Sequence, residues 1–133
     1  MELQTLSLTV EDGIARVTMI RAAELNTMNR AFWTELITVF EAIDADTSVR
    51  AVVIASTGKH FSAGLDLKMA AGSLGDGGGN DLGRARESFR RHVKHMQDTF
   101  TVVDRCRVPV IAVVQGGCIG GGVDFVTACD MRV

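Results

Sequence analysis

Two segments of this chain hold the residues best suited to chemistry. The first is Gly116-Gly117-Cys118-Ile119-Gly120-Gly121-Gly122-Val123-Asp124, five glycines within seven positions followed by a carboxylate. Glycine removes side chains from the backbone, so a ligand can approach the main chain closely. Where a helix begins in such a run, its first N–H groups have no internal partner and the helix dipole adds partial positive charge. That arrangement suits a phosphate or a developing oxyanion. Asp124, three residues after Gly121, is near enough to act on a group held by those amides. A tight strand–helix turn with an acidic residue complementing the dipole has the same composition. A nucleotide phosphate loop fits poorly, because no Gly-Lys-Ser/Thr follows and the glycines do not fall in a GxGxxG frame.

The second segment is Lys59-His60-Phe61-Ser62-Ala63-Gly64-Leu65-Asp66-Leu67. Gly64 again permits close approach, and Asp66 is equally suited to capping a short helix. If both segments follow buried parallel strands, they open at the same carboxyl edge of a sheet, where ligands of α/β folds bind. Two convergent N–H groups are what an oxyanion requires, and each such donor is worth about 3–4 kcal/mol in a transition state.

The elements that must position these segments are readable from periodicity. Leu6, Leu8 and Val10 alternate with polar residues, Glu11-Asp12-Gly13 turns, and Ala15, Val17 and Met19 resume the alternation, which predicts a hairpin. A helix is expected from about Asn29 to Asp46, capped by Asn26 or Thr27, with Phe32, Leu36, Phe40 and Ile43 on its apolar face. The run Ala51 to Ala55 predicts a strand covered on both faces. A short helix is expected over Asp66 to Ala71, a mobile loop over Gly72 to Gly83, and a long helix from there to Arg105. On that long helix Phe89, Val93, Met96, Phe100 and Val103 form one stripe, read as core or as a subunit contact. Val110 to Val114 predicts a second buried strand, Gly121 to Cys129 a helix, and Met131 to Val133 the start of a further strand. Strands alternating with helices predict an α/β fold with parallel pairing in one domain, and the brevity of the last strand suggests a fold incomplete at the C-terminus.

Bulk properties narrow the function. In 133 residues there are 14 Lys+Arg and 16 Asp+Glu, a formal net charge of -2, which favours neither nucleic acid nor an anionic membrane as partner. No apolar run approaches a membrane span, and residues Met1 to Val10 lack the look of a signal or transit peptide, so a cytoplasmic location, or a mature form, is expected. The three cysteines form no CxxC pair and are read as reduced thiols. His92 and His95 lack accompanying ligands and are read as solvated helix face, as are Arg84, Arg86, Arg90 and Arg91. His60 is read as a structural loop residue, and Cys118 as a small packing residue because no His pairs with it nearby.

The run His60-Phe61-Ser62-Ala63-Gly64-Leu65-Asp66 resembles the first oxyanion-loop motif of the crotonase (enoyl-CoA hydratase/isomerase) family, and Gln115 to Asp124 resembles the second. The spacing between them, the opening hairpin and the Leu25-Asn26 pair also match, so the resemblance covers essentially the whole chain. It implies a crotonase-like ββα spiral with a mainly parallel sheet, residues 1–133 being the N-terminal part of a single domain. It implies that the Ala63 and Gly121 N–H groups form an oxyanion hole around an acyl-CoA thioester carbonyl. Ala23 and Leu25, within the segment Arg21 to Leu25, would lie along the CoA nucleotide; Ser62, Ala63, Gly64, Leu65 and Asp66 would pack against pantetheine and thioester. Hydratases of the family carry Glu where Asp124 stands, whereas its dienoyl-CoA isomerases carry Asp, and the run from Gly116 to Arg132 is similar to theirs. The resemblance thus implies isomerisation of a dienoyl-CoA through a stabilised dienolate, with Asp124 moving protons and partner acids lying beyond Val133. It implies no metal or redox cofactor, CoA being part of the substrate, and a homo-oligomer, trimer or hexamer. An enoyl-CoA hydratase, a non-catalytic CoA-binding module and a fragment inert by itself are the other readings.

Overall fold

The dipeptide Asp12-Gly13 sets the first pairing of the chain. Both residues are left-handed (φ 51 and 78), the backbone a two-residue hairpin needs to match strand twist. It joins β1 (Leu6–Glu11) to β2 (Ile14–Met19) in antiparallel register, Glu11 opposite Ile14 and Leu6 opposite Met19. The structure is a computed structural model that describes residues 2–69 and 81–133. β3 (Ala51–Ser56) pairs parallel with β2, β4 (Val110–Ala112) parallel with β3, and β5 (Met131–Arg132) parallel with β4. The sheet therefore has five strands in chain order with one antiparallel pair, the mainly parallel α/β arrangement the sequence predicts.

Between β2 and β3 runs α1 (Arg30–Ala45), which buries Phe32, Trp33, Leu36, Val39, Phe40 and Ile43 along one stripe. Its cap differs from the expectation of Asn26 or Thr27. Asn29 stands in extended conformation and its side chain accepts the Phe32 N–H at 3.1 Å, while Asn26 is buried elsewhere. The Glu35 carboxylate accepts the N–H groups of Gln4, Thr5 and Leu6 at 2.8, 2.9 and 3.2 Å, fastening the start of β1 to this helix.

The long helix α2 (Leu82–Asp104) is capped by Asp81, whose carboxylate accepts from Gly83 and Arg84. Only Thr99 and Val103 of it are fully buried, and Phe89 is 49% exposed, so the apolar stripe reaches the core only through its C-terminal half. β3 is also less enclosed than expected: Val52 and Ile54 are fully buried, but Val53 on the opposite face is half-buried. Residues 67–69 are helical, and the remainder of the short helix and of the glycine-rich loop, residues 70–80, lies outside the described residues. After β4, α3 (Gly121–Thr127) leads into β5.

Five aromatic rings join the layers. Phe32 and Trp33 of α1, Phe100 of α2, Phe125 of α3 and Phe61 of the loop after β3 meet with ring centroids 5.4–6.3 Å apart. Offset and edge-on contacts of this kind each add about 0.5–1.5 kcal/mol beyond burial. Phe61 and Phe125 flank the two glycine-bearing turns, so the core itself brings those turns together.

Candidate active site

β3 and β4 are parallel, so the loops that follow them leave the same sheet edge. There they are laced by backbone hydrogen bonds. Phe61 N–H donates to the Gln115 carbonyl at 2.8 Å, Ser62 N–H to Gly117 at 3.3 Å, and Ile119 N–H to Ser62 at 3.0 Å. The Gln115 side-chain amide donates to the Ser56 carbonyl at 3.0 Å and its hydroxyl at 2.8 Å, closing the base of the pair. Gly64 (φ +85) packs so tightly that a Cβ there would stand 2.6 Å from the Ile119 carbonyl oxygen and 3.2 Å from the Gly121 nitrogen. No side chain fits at that contact, and L-residues rarely adopt that φ.

The segment after β2 forms the third wall. A 3-10 turn, Ala22–Glu24, is followed by Leu25 and Asn26, both left-handed at φ 53 and 51. Two such non-glycine residues cost about 1–3 kcal/mol each and need support. Asn26, 1% exposed, supplies it by donating from its amide to the carbonyls of Thr57 and His60 at 2.7 and 3.3 Å. Arg21 donates to the Thr27 carbonyl at 2.6 Å and stands 3.7 Å from the Asp66 carboxylate, which also accepts from the Thr27 hydroxyl at 3.4 Å.

These contacts sort the expected site residues. Ala23 and Leu25 are exposed on the third wall, Leu25 at 51%, and stand open to a ligand. The Ala63 N–H does not serve as a free donor, because it donates to the Leu25 carbonyl at 3.0 Å. Ser62 is fully buried, and its hydroxyl donates to the Asn26 carbonyl at 2.8 Å while accepting the Gly64 N–H at 3.0 Å; it braces the turn from inside. Asp66 is spent on Arg21, Thr27 and the Lys68 N–H, so it acts as a clamp between walls. The Gly64 carbonyl accepts from Met28, and the Asp66 N–H donates to the Met28 carbonyl.

Along the first turn the N–H groups of Ser62, Ala63, Gly64 and Asp66 are thus all engaged, and Leu65 N–H has no acceptor among the described residues. Gly121 N–H, at the first position of α3, has none either. The two are close: a Cβ built on Gly121 would lie 3.9 Å from the Leu65 nitrogen. The sequence placed Leu65 among the residues packing against pantetheine and thioester, and not as an amide donor. Its free amide follows from the pairing of its neighbours with two distant segments, and no local signal marks it. Asp124, one turn into α3, is exposed, and its carboxylate has no hydrogen-bond partner among the described residues.

Other reactive groups are quieter. Burial raises the Cys118 thiol, and raises Cys129 to about 12, so both remain protonated at neutral pH. Among the described residues no cluster of three or more His, Cys, Asp or Glu could hold a metal, and no helix is long and apolar enough to cross a membrane.

Comparison with known proteins gives a consistent family. The Delta(3,5)-Delta(2,4)-dienoyl-CoA isomerase, mitochondrial, of Mus musculus is 45% identical over 119 residues, covering 90% of this chain and 36% of that protein. The peroxisomal dienoyl-CoA isomerase of Arabidopsis thaliana is 36% identical over 131 residues, covering 98% of this chain and 47% of that protein. The crystal structure of an enoyl-CoA hydratase/isomerase from Xanthobacter autotrophicus Py2 superposes with a TM-score of 0.84 at 28% identity, over 98% of this chain and 46% of that one. The chain thus spans between a third and a half of the length of these relatives. The expectation of a cytoplasmic location is overturned, since the relatives are named for mitochondria and peroxisomes. The family model for enoyl-CoA hydratase/isomerase matches residues 9–133, and the chain belongs to that family.

Proposed function

We propose that the protein is an acyl-CoA isomerase that shifts the double bonds of a dienoyl-CoA, and that residues 1–133 are part of one crotonase-like domain. The observation that carries this is the adjacency of two amides without acceptors, Leu65 and Gly121, on turns that glycine packing presses together. In this reading they, and not Ala63 with Gly121, donate to the thioester oxygen. A thioester makes its α-hydrogen acidic. Converting a 3,5-diene to a 2,4-diene removes a proton from C2, spreads the electron pair along the diene and onto the thioester oxygen, and returns a proton at C6. Two fixed N–H donors stabilise the negative charge at the oxygen as it forms. Asp124 stands exposed on the helix that carries Gly121, without a partner among the described residues, and we assign it to proton transfer. Ala23 and Leu25 line the path of the CoA portion. The chemistry needs no redox step, and the family resemblance extends the proposal to a homo-oligomer, which light scattering reads directly.

The test is turnover of a 3,5-dienoyl-CoA by the full-length protein, followed by the absorbance of the conjugated 2,4-diene. Asp124→Asn removes the proton acceptor and is expected to lower kcat by about 10²–10⁴. No turnover by the wild type, or unchanged kcat in Asp124→Asn, contradicts the assignment. The family description also covers hydratases. Faster addition of water to a simple 2-enoyl-CoA than isomerisation of the diene would favour that second reading.

A further inference from the structure

The two site-bearing turns are joined by one contact that involves a ring. His60, on the first turn, accepts the Gly117 N–H of the second at its Nδ1, 2.8 Å away. The main chains meet just there. A Cβ on Gly116 (φ +59) would stand 2.3 Å from the Lys59 carbonyl oxygen and 2.8 Å from His60 Nδ1, and one on Gly117 would stand 3.2 Å from the same nitrogen. The His60 carbonyl is held in turn by the Asn26 amide at 3.3 Å and the Ser56 hydroxyl at 3.4 Å. A chain of contacts therefore runs from the CoA-side segment through His60 to Gly117, four residues before Gly121.

We propose that His60 is a positioning residue: its neutral imidazole, accepting at Nδ1, holds the second glycine turn in register so that the Gly121 amide stays beside that of Leu65. This rests on the oxyanion pair proposed above. An N–H donor requires a lone pair on the ring nitrogen it meets, and the imidazolium has none, since both of its nitrogens donate. Protonation of His60 therefore replaces an attraction with an opposition of two N–H groups.

Asn and Gln separate the two ring positions. The Asn Oδ1 falls near the place of Nδ1, whereas the Gln amide reaches toward Nε2. In the full-length protein with a 3,5-dienoyl-CoA, H60Q is expected to lose about 10- to 100-fold in kcat with little change in KM, as for a displaced positioning group. H60N is expected to recover most of the loss. Recovery in H60N but not in H60Q is a pattern that a space-filling role would not produce. Without substrate, hydrogen exchange read by mass spectrometry should show the amides of residues 116–121 exchanging faster in H60Q than in wild type or H60N. Wild-type kcat and wild-type exchange in H60Q would overturn the proposal, as would an H60N variant no better than H60Q. If the wild type fails to isomerise the diene, the functional reading fails, while the exchange comparison still decides whether His60 holds the turn.

Discussion

Gly121 is the first residue of α3 and its amide has no acceptor among the described residues, so its N–H can be removed with little cost to the helix. Proline is well tolerated at the first helical position, where its missing N–H has no intrahelical role. The added Cβ would meet the Met28 sulfur, the flexible end of a side chain, at 3.0 Å, and the Leu65 nitrogen at an ordinary contact distance of 3.9 Å. Gly121→Pro should therefore fold with an unchanged circular dichroism spectrum and lose about 10²–10³ in kcat; a kcat near wild type would remove Gly121 from the chemistry. The buried thiols give a pH prediction. Because burial lifts Cys129 to about 12, its thiolate forms only well above the ordinary thiol range. At pH 8 iodoacetamide should leave Cys129 unmodified in the folded protein while alkylating it in denaturant, as peptide mass spectrometry would show; equal rates would contradict the burial. At this scale the placement of Gly121 at a helix start, with Asp124 in the first turn, was legible from residue type and spacing. Ala63 was not correctly legible, because its amide is claimed by Leu25 and that of Leu65 is left over by a bridge to Met28, partners set by tertiary pairing.

At the scale of elements, the hairpin, the three helix–strand alternations among the described residues and their order followed from periodicity, since Asp12-Gly13 and the runs around Val52 and Ile111 each carry strong local preferences. Caps were harder. Asn26, Thr27 and Asn29 all have the right chemistry for a helix start, and only the buried bonds of Asn26 to Thr57 and His60 decide among them. The stripe on α2 overstated burial, because periodicity reports a face but not how far along the helix a neighbour extends; Phe89 is left half-exposed and Val103 buried. Glu35 is the tie that sequence does not mark. Its carboxylate accepts three backbone N–H groups and the Thr5 hydroxyl at 2.6 Å. Glu35→Ala leaves those donors near the start of β1 without their acceptor and should lower stability by about 2–3 kcal/mol, seen as a lower urea midpoint. An unchanged midpoint would mean that β1 is anchored by the sheet alone.

At the scale of the molecule, what matters is that β3 and β4 run parallel and adjacent. That single topological fact delivers two loops, distant in sequence, to one edge. The aromatic cluster and Gly64 then press them into contact, and the strained Leu25–Asn26 segment closes the third side. In the function proposed above, a thioester oxygen is the group held between the Leu65 and Gly121 amides. The most direct measurement is the carbonyl stretch of a 2,4-dienoyl-CoA, labelled with 13C at the thioester carbon, bound to the full-length protein and recorded by isotope-edited infrared spectroscopy. Two hydrogen bonds to that oxygen predict a band moved to lower frequency than in the free ligand, with part of the shift lost in Gly121→Pro; a bound ligand whose band does not move would contradict an oxyanion hole at this site.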